Sequence, residues 1–206
     1  MPSLSARWSA SLLLLAVLAA YANAFGGSFQ FDDYNVIVRE RAVHSLGAWW
    51  ESMPGIRPLL KLSYALSWSA GGGTVAFHAV NVALHAANAL LVWAVLQEIW
   101  MRVGVREAGF AAFAGALLFA LHPANTEAVT YISGRSTSMM AFFYLASLLA
   151  YLREGPRWLS PALFLAALAT KEVAATLPFV LLLFDAIDTR RPIDPRRQWL
   201  HWIVLG

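Results

Sequence analysis

The segment from Thr74 to Met101 reads TVAFHAVNVALHAANALLVWAVLQEIWM, an almost unbroken apolar run. A bilayer core of about 30 Å needs about 20 helical residues, so this segment predicts a membrane-spanning helix. Its polar positions are spaced three, four and three apart, which places them on one helix face. They are His78, Asn81, His85 and Asn88. For this stripe we expect hydrogen bonds to neighbouring helices, with a metal site as the alternative.

The composition of the whole chain agrees with a membrane environment. Of the 206 residues 59% are hydrophobic and 13% charged, against about 45–50% and about 25% in soluble domains. The chain has no cysteine, which excludes disulfides and thiolate metal sites. The net charge of +3 comes from short Arg clusters, which argues against a continuous nucleic-acid-binding face. We therefore predict an all-α, polytopic membrane helical bundle forming a single domain over residues 1–206.

Upstream of the long helix, residues 9–25 form a first apolar run. This run is either a retained span or a signal peptide, because Ala22-Asn23-Ala24 fits a cleavage pattern. Both interpretations place the following residues on the outer side of the membrane. Residues 26–73 mix charged and aromatic residues, which is typical of helices lying at the membrane interface. We predict a large first outer loop over this range.

Downstream of the long helix, further apolar runs predict a multi-span bundle. The complete set of predicted spans is 9–25, 74–101, 109–121, 139–152, 158–170 and 173–187, with the start of another at 199–206. Because the last run is so short, we expect the chain to be truncated.

The pair Lys171-Glu172 interrupts the apolar region 158–187 near its centre. A single helix here would place both charges at mid-bilayer and the cluster Arg190 to Arg197 outside, against the positive-inside rule. Two helices joined at Lys171-Glu172 return the chain to the inner side. Each half is about 13 residues or about 20 Å long, so the turn is expected below the outer surface, within protein or a wet cavity.

This topology gathers carboxylates and cations on the outer face. Asp32 and Asp33 begin the first outer loop, while later outer segments carry basic and acidic groups. A carboxylate can take a proton from an attacking hydroxyl, and Arg or Lys can hold a phosphate. A sugar on a polyprenyl phosphate presents that phosphate at the interface. The outer face therefore offers candidates for a base, a phosphate clamp and a donor groove.

Several motifs in this order resemble the N-terminal membrane half of the transmembrane and tetratricopeptide-repeat O-mannosyltransferases. The most specific block runs from His122 to Arg135 and contains LHPxxTEAV followed by SGR. The other matching motifs are Phe31-Asp32-Asp33, Arg57-Pro58-Leu59, Phe77-His78-x-x-Asn81-x-x-x-His85-x-x-Asn88 and Thr170-Lys171-Glu172. The resemblance covers residues 29–187 and implies a C-type glycosyltransferase fold. No tetratricopeptide repeats are present in the chain.

The resemblance also implies a membrane glycosyltransferase that moves a sugar such as mannose from a polyprenyl-phosphate donor to a hydroxyl, for example of protein Ser or Thr, on the outer or lumenal face. It assigns Asp32 as the catalytic base, with Asp33 beside it. The substrate-binding candidates are Arg57, His122, Glu127, Arg135, Lys171 and Glu172. We expect no cofactor, with the lipid-linked sugar as co-substrate, a protein or glycan hydroxyl as acceptor and the bilayer as partner. No residue is assigned as a metal ligand, and the sequence leaves the metal requirement open. A bacterial inner membrane is the expected location, or the endoplasmic reticulum in a eukaryote.

Simpler interpretations exist for each of these residues. The two aspartates would suit a solvated loop or a helix N-terminus, and His122-Pro123 would suit a helix end. Glu127 and Arg135 would suit an ion pair that fixes their loop. The alternative for the whole chain is a non-enzymatic protein, either a transporter or an assembly subunit. A transporter would place its polar groups near mid-membrane, for instance along the stripe of the long helix.

Overall fold

The computed structural model describes residues 6–53, 55–71, 73–188 and 198–205. Within these ranges the chain is helical and contains no strand, which confirms the predicted all-α class. The α-helices are α1 (Ala6–Ala20), α2 (Leu46–Glu51), α3 (Pro58–Ser69), α4 (Thr74–Arg102), α5 (Ala108–Leu121), α6 (Thr126–Thr130), α7 (Arg135–Leu152), α8 (Leu159–Leu168), α9 (Leu177–Ile187) and α10 (Trp199–Leu205). A π-helix, Tyr34–Val38, and short 3-10 helices join them.

Two helical segments in the described ranges are long and apolar enough to cross a membrane. They are Ala6–Gly26, formed by α1 and the 3-10 turn after it, and Thr74–Arg102. Helix α5 and the segment Pro123–Thr130 pass the same test together, but they are bent by 51° at His122. The residue before a proline disfavours helical geometry, and His122 has an extended ψ of 127°. The described residues therefore contain two helices that could cross a membrane, or three if the bent pair is one span.

Helix α4 lies at the centre of the bundle, packed against α1, α5 and α7. Its contact with α5 is made close by small residues, because Ala108, Ala112, Ala116 and Ala120 of α5 recur every fourth position and are all buried. Such a stripe lets two helix backbones approach closely in a membrane. A Cβ added at Gly115 would lie 2.7 Å from a methyl carbon of Leu96 in α4, so an alanine there would require the Leu96 side chain to shift.

The described residues of the predicted first outer loop pack onto the N-terminal end of α4. Four buried apolar residues of the loop form a cluster with Phe77 of α4 and Ile132, which follows α6. The four are Ile37, Val43, Leu60 and Tyr64. The imidazole of His44 stacks on the indole of Trp68 with centroids 3.9 Å apart. Other large side chains of this loop, Trp50 and Ile56, stay exposed. One apolar face thus packs on the bundle while another remains uncovered.

The chain reverses between α8 and α9, with a break at Lys171 and a 3-10 turn over Glu172–Thr176. Asp188, just past the end of α9, forms an ion pair with Arg102 at the end of α4, with Nη1 to Oδ2 at 3.0 Å. Arg102 also pairs with Glu98 at 3.2 Å. The ends of α4 and α9 therefore lie together, and the membrane side of these ends stays a prediction. The predicted inner cluster Arg190 to Arg197 lies outside the described residues.

Candidate functional site

The two adjacent aspartates have opposite surroundings. Asp33 is fully buried, and its carboxylate accepts hydrogen bonds from the backbone N–H of Gln30 at 3.0 Å and of Ser133 at 2.8 Å. It is the residue immediately before the π-helix Tyr34–Val38. Because a buried carboxylate needs such partners, Asp33 fixes the start of the outer loop against the segment after α6. This side chain is a structural anchor.

Asp32 is exposed, and its carboxylate makes no hydrogen bond or ion pair with any residue that the structure describes. Only its backbone is held, because its N–H donates to the hydroxyl of Tyr131 at 2.9 Å. Phe31, the residue before it, contacts the Tyr131 ring edge to face with centroids 6.4 Å apart. The backbone of Asp32 is thus fixed while its carboxylate remains available to an external hydroxyl.

Arg135 is the largest fully buried side chain among the described residues. Its Nε donates to Asn81 Oδ1 at 2.8 Å, one terminal nitrogen donates to the Ser63 carbonyl and Ser67 Oγ, and the other donates to the Phe77 carbonyl at 2.9 Å. The guanidinium carbon also lies 5.0 Å from the ring centroid of Tyr64 and 5.2 Å from that of Phe77. These contacts join α3, α4 and α7 at one point.

The charge of Arg135 persists despite its burial. Burial lowers the pKa of Arg135 to about 10, which keeps the guanidinium protonated at neutral pH. Arg135 was predicted to bind substrate, but in this structure its donors face protein groups and its side chain has no exposed surface. Arg135 is therefore placed to hold α3, α4 and α7 together beneath the site.

The polar stripe of α4 makes the interhelical hydrogen bonds that its spacing predicts. The Asn81 amide donates to the carbonyls of Val129, Tyr131 and Ile132. The His85 Nε2 lies 2.9 Å from the Ala120 carbonyl, and Asn88 donates to the Ser138 carbonyl at 2.8 Å. The four stripe residues are at most 2% exposed, so they are packed within the bundle and do not line a pore.

His78 is the exception within the stripe. It is fully buried, and neither ring nitrogen has a hydrogen-bond partner among the described residues. Its ring lies directly against the backbone of Gly27, where an added Cβ would come 2.8 Å from Nε2. The described residues hold no group of three or more His, Cys, Asp or Glu side chains arranged to bind a metal.

A patch of charged residues lies where the start of α3 meets the turn between α8 and α9. Arg57 donates from two nitrogens to the carboxylate of Glu172, with the shortest distance 2.7 Å. These hydrogen bonds from Arg57 lower the pKa of the Glu172 carboxyl. Lys171 Nζ donates to Thr137 Oγ1 at 2.8 Å, on the first turn of α7. We name Arg57, Thr137, Lys171 and Glu172 the cation patch.

Glu127 and Arg135 do not form the ion pair that was the alternative interpretation of these residues, because Arg135 is turned into the bundle. Glu127 is exposed and has no hydrogen bond or ion pair within the described ranges. His122 is exposed too, and its Nδ1 accepts a hydrogen bond from the backbone N–H of Ala124 at 3.1 Å. His122 therefore caps the 3-10 turn Pro123–Asn125, which fits the helix-end interpretation and leaves Nε2 without a role in the turn.

A cavity of about 660 Å³ opens between α6 and the segment that follows α1. Glu127 and Phe31 are both on its wall. The complete lining is Asn23, Ala24, Gly27, Gln30, Phe31, Thr126, Glu127, Thr130 and Tyr131. Two residues of the cavity wall connect it to Asp32. Phe31 precedes Asp32 in the chain, and the hydroxyl of Tyr131 accepts a hydrogen bond from the backbone N–H of Asp32.

The structure therefore places six of the eight predicted site residues in two groups. Asp32, Asp33 and Glu127 lie around Tyr131 and the cavity, whereas Arg57, Lys171 and Glu172 form the cation patch. The segment from Tyr131 to Thr137 connects the groups, since it contacts Asp32 at one end and Lys171 at the other. Tyr131, Thr137 and the serines of α3 were not singled out in the sequence, because single hydroxyl residues carry no recognisable spacing.

The fold and this arrangement define a helical membrane protein with an exposed carboxylate set beside a cavity at the end of its bundle. No family model matches the chain, and no solved structure matches it. The chain does match several curated proteins. The chain is 29% identical to Protein O-mannosyl-transferase TMTC4 of Mus musculus over 87% of its length. It is 33% identical to Protein O-mannosyl-transferase Tmtc2 of Drosophila melanogaster and 31% identical to Protein O-mannosyl-transferase TMTC1 of Homo sapiens, each over 90% of its length.

These similarities confirm the resemblance that the motifs predict: the chain is a relative of the transmembrane and tetratricopeptide-repeat O-mannosyltransferases. It spans 29% of the mouse protein, 22% of the fly protein and 24% of the human protein. The similarity thus extends over most of this chain and over less than a third of these relatives.

Proposed function

We propose that this chain carries the catalytic carboxylate of a membrane glycosyltransferase that transfers mannose from a polyprenyl phosphate to the hydroxyl of a protein Ser or Thr. In the proposed step Asp32 removes the hydroxyl proton as the oxygen attacks the anomeric carbon. The bond from that carbon to the phosphate oxygen breaks, and the polyprenyl phosphate leaves with the electron pair. The observation that carries this proposal is the exposed carboxylate of Asp32, which has a fixed backbone and no partner among the described residues.

The leaving phosphate needs cations, and the cation patch supplies them. Lys171 has an ammonium group with three donors, of which the structure uses one for Thr137. Arg57 is about one-third exposed and holds Glu172 in a two-nitrogen geometry that suits a phosphate equally well. The exposed His122 is a further candidate donor through Nε2, because its Nδ1 accepts from the backbone N–H of Ala124. Arg135 supports the site by holding α3 and α7 in place.

The lipid-linked donor also explains the surroundings of the site. A polyprenyl tail requires apolar surface, and exposed apolar side chains cover α1 and α9. Multiple spans and an outer or lumenal location of the site belong to the same proposal. The membrane would be the bacterial inner membrane, or the endoplasmic reticulum in a eukaryote. The lipid-linked sugar is the co-substrate of this displacement, because its anomeric carbon already carries phosphate as a leaving group.

The test is a transfer assay with the protein expressed from its complete reading frame and purified in nanodiscs. Mannose labelled on undecaprenyl or dolichyl phosphate is offered with a Ser/Thr peptide, and product formation is measured for wild type and Asp32→Asn. The matched control is Glu51→Gln, which neutralises an exposed carboxylate of α2. We expect a loss of about 10²–10⁴-fold for Asp32→Asn, the range of general base catalysis, and no loss for the control. Wild-type transfer by Asp32→Asn would overturn the assignment.

A further inference from the structure

The cavity beside Asp32 has a wall that is unusual for a protein surface. The phenyl ring of Phe31 is 82% exposed although it contacts Tyr131. Its backbone has a φ of 42°, in the left-handed region that costs a bulky residue energy. An exposed aromatic ring on a strained backbone gains nothing from burial. Such a combination points to an occupant of the cavity.

The polar groups of the cavity are suited to hydroxyl groups. Asn23 and Gln30 supply amides, Thr126 and Thr130 supply hydroxyls, and Glu127 supplies a carboxylate that has no partner among the described residues. A carboxylate accepts strong hydrogen bonds from neutral O–H donors. Amides and hydroxyls can both donate and accept. Together with the two aromatic rings, these groups fit a ring whose edge bears hydroxyls and whose face bears C–H groups.

The same wall disfavours an anion. None of the nine lining residues is Lys or Arg, and the one charged group is the carboxylate of Glu127. A phosphate placed here would meet a like charge with no cation to offset it. The cations Arg57 and Lys171 lie in a different patch, with partners on α7 and on the turn after α8. The site therefore separates a hydroxyl-binding compartment without a cation from a cationic one.

We propose that this cavity is a subsite for an uncharged sugar ring, with Phe31 as the stacking platform and Glu127 as the acceptor for the sugar hydroxyls. Asp32 follows Phe31 directly in the chain, and its backbone N–H donates to Tyr131 of the cavity wall. Assigning the ring to the transferred sugar rests on the proposed function. Binding of a neutral sugar by the cavity does not, and it can be measured without any transfer.

Binding is tested by saturation-transfer NMR on the full chain in nanodiscs, because maltoside or glucoside detergents would themselves compete. The probes are methyl α-mannoside and methyl α-glucoside, and inorganic phosphate is added as a competitor. We expect a neutral glycoside to bind, phosphate not to displace it, and Glu127→Gln and Phe31→Gly each to weaken binding about tenfold or more, the effect of losing a hydrogen bond to a charged group or an aromatic contact. Glycine at position 31 accepts the positive φ, so this variant removes the ring while retaining the fold.

Two controls leave the cavity intact. Phe110→Ala removes a phenyl ring that is 66% exposed on α5, and Glu51→Gln neutralises an exposed carboxylate of α2. Both should bind the glycoside as wild type does. The proposal is overturned if neither glycoside binds, if phosphate displaces the glycoside, or if Phe31→Gly and Glu127→Gln bind as tightly as the controls.

The sugar source is distinguished in the transfer assay. If the ring belongs to the lipid-linked donor, Glu127→Gln raises the KM for the donor and leaves that for the peptide unchanged. If it belongs to a sugar already present on the acceptor, only the KM for a glycosylated acceptor rises. Loss of transfer in Asp32→Asn with unchanged glycoside binding supports both the base and the subsite. Glycoside binding with no transfer by any form keeps the subsite and rejects the proposed function.

Discussion

The carboxylate of Asp33 accepts a hydrogen bond from the backbone N–H of Ser133 at 2.8 Å, which joins two residues 100 positions apart in the chain. This bond holds the start of the first outer loop against the segment that follows α6. Its neighbour Asp32 contributes only its backbone to the same junction, by donating to Tyr131. Two adjacent identical side chains therefore have different consequences when they are replaced.

Replacing Asp33 with alanine should destabilise the fold. The change leaves the N–H groups of Gln30 and Ser133 without their acceptor, and each unpaired buried group costs about 1–3 kcal/mol. Unfolding by heat or SDS, followed by tryptophan fluorescence in detergent, measures the loss. Asp32→Ala is the matched control, because its carboxylate has no partner in the described part of the chain, and its unfolding transition should stay at the wild-type position. Equal stability of the two variants would contradict the division of roles.

The close approach of His78 to Gly27 gives a second prediction. A methyl group at Gly27 would lie 2.8 Å from His78 Nε2 and 3.0 Å from the Ala24 carbonyl. The buried ring would have to shift, so Gly27→Ala should lower the free energy of unfolding by about 1–3 kcal/mol. Gly26→Ala is the control one residue away, since nothing lies within 4 Å of its added Cβ. A Gly27→Ala protein as stable as Gly26→Ala would show that the ring is not held there.

The same pair of residues shows what the sequence could and could not predict. The three, four, three spacing in α4 places four polar residues on one face, and hydrogen bonding by Asn81, His85 and Asn88 follows from that. Spacing along one helix carries no information on which segment lies opposite it. That His78 would lie against Gly27 depends on how the chain packs after α1.

The outer face illustrates the same limit. The positive-inside argument placed Asp32, Arg135 and Lys171 on one side, and charge counting can do no more. Burial decides the rest: Arg135 and Asp33 are enclosed, whereas Asp32 and Glu127 remain exposed. A charged side chain enclosed by carbonyls and hydroxyls looks the same in sequence as a solvated one. Ser63 and Ser67, which hold Arg135, have no pattern of their own.

The ion pair between Arg57 and Glu172 gives a prediction for pH titration. Hydrogen bonds from Arg57 lower the pKa of the Glu172 carboxyl below its ordinary value of 4.5. The pair is therefore complete above that value and is lost as pH falls through the lowered pKa. Arg57→Met should raise the pKa of Glu172, which a ¹³C-carboxyl NMR titration detects once Glu172→Gln has assigned the signal. Arg39→Met, at an arginine bonded to Asn35 instead, should leave the Glu172 titration unchanged.

Arg135 allows the sharpest separation between a structural role and a phosphate-binding role. Replacing it with methionine leaves the Phe77 carbonyl and Asn81 Oδ1 without the donor that now reaches them. Breaking a buried charged network from one side costs about 3–5 kcal/mol, so Arg135→Met should unfold much more readily than wild type. Arg135→Lys should also be destabilised, because an ammonium cannot reproduce the planar fork that contacts α3 and α4 together. Unfolding in SDS, with exposed Arg39→Lys as the control, measures both. If Arg135→Lys keeps wild-type stability but binds the lipid-linked sugar more weakly in the transfer assay, the guanidinium turns toward the phosphate during the reaction. Its buried position is then one of two conformations.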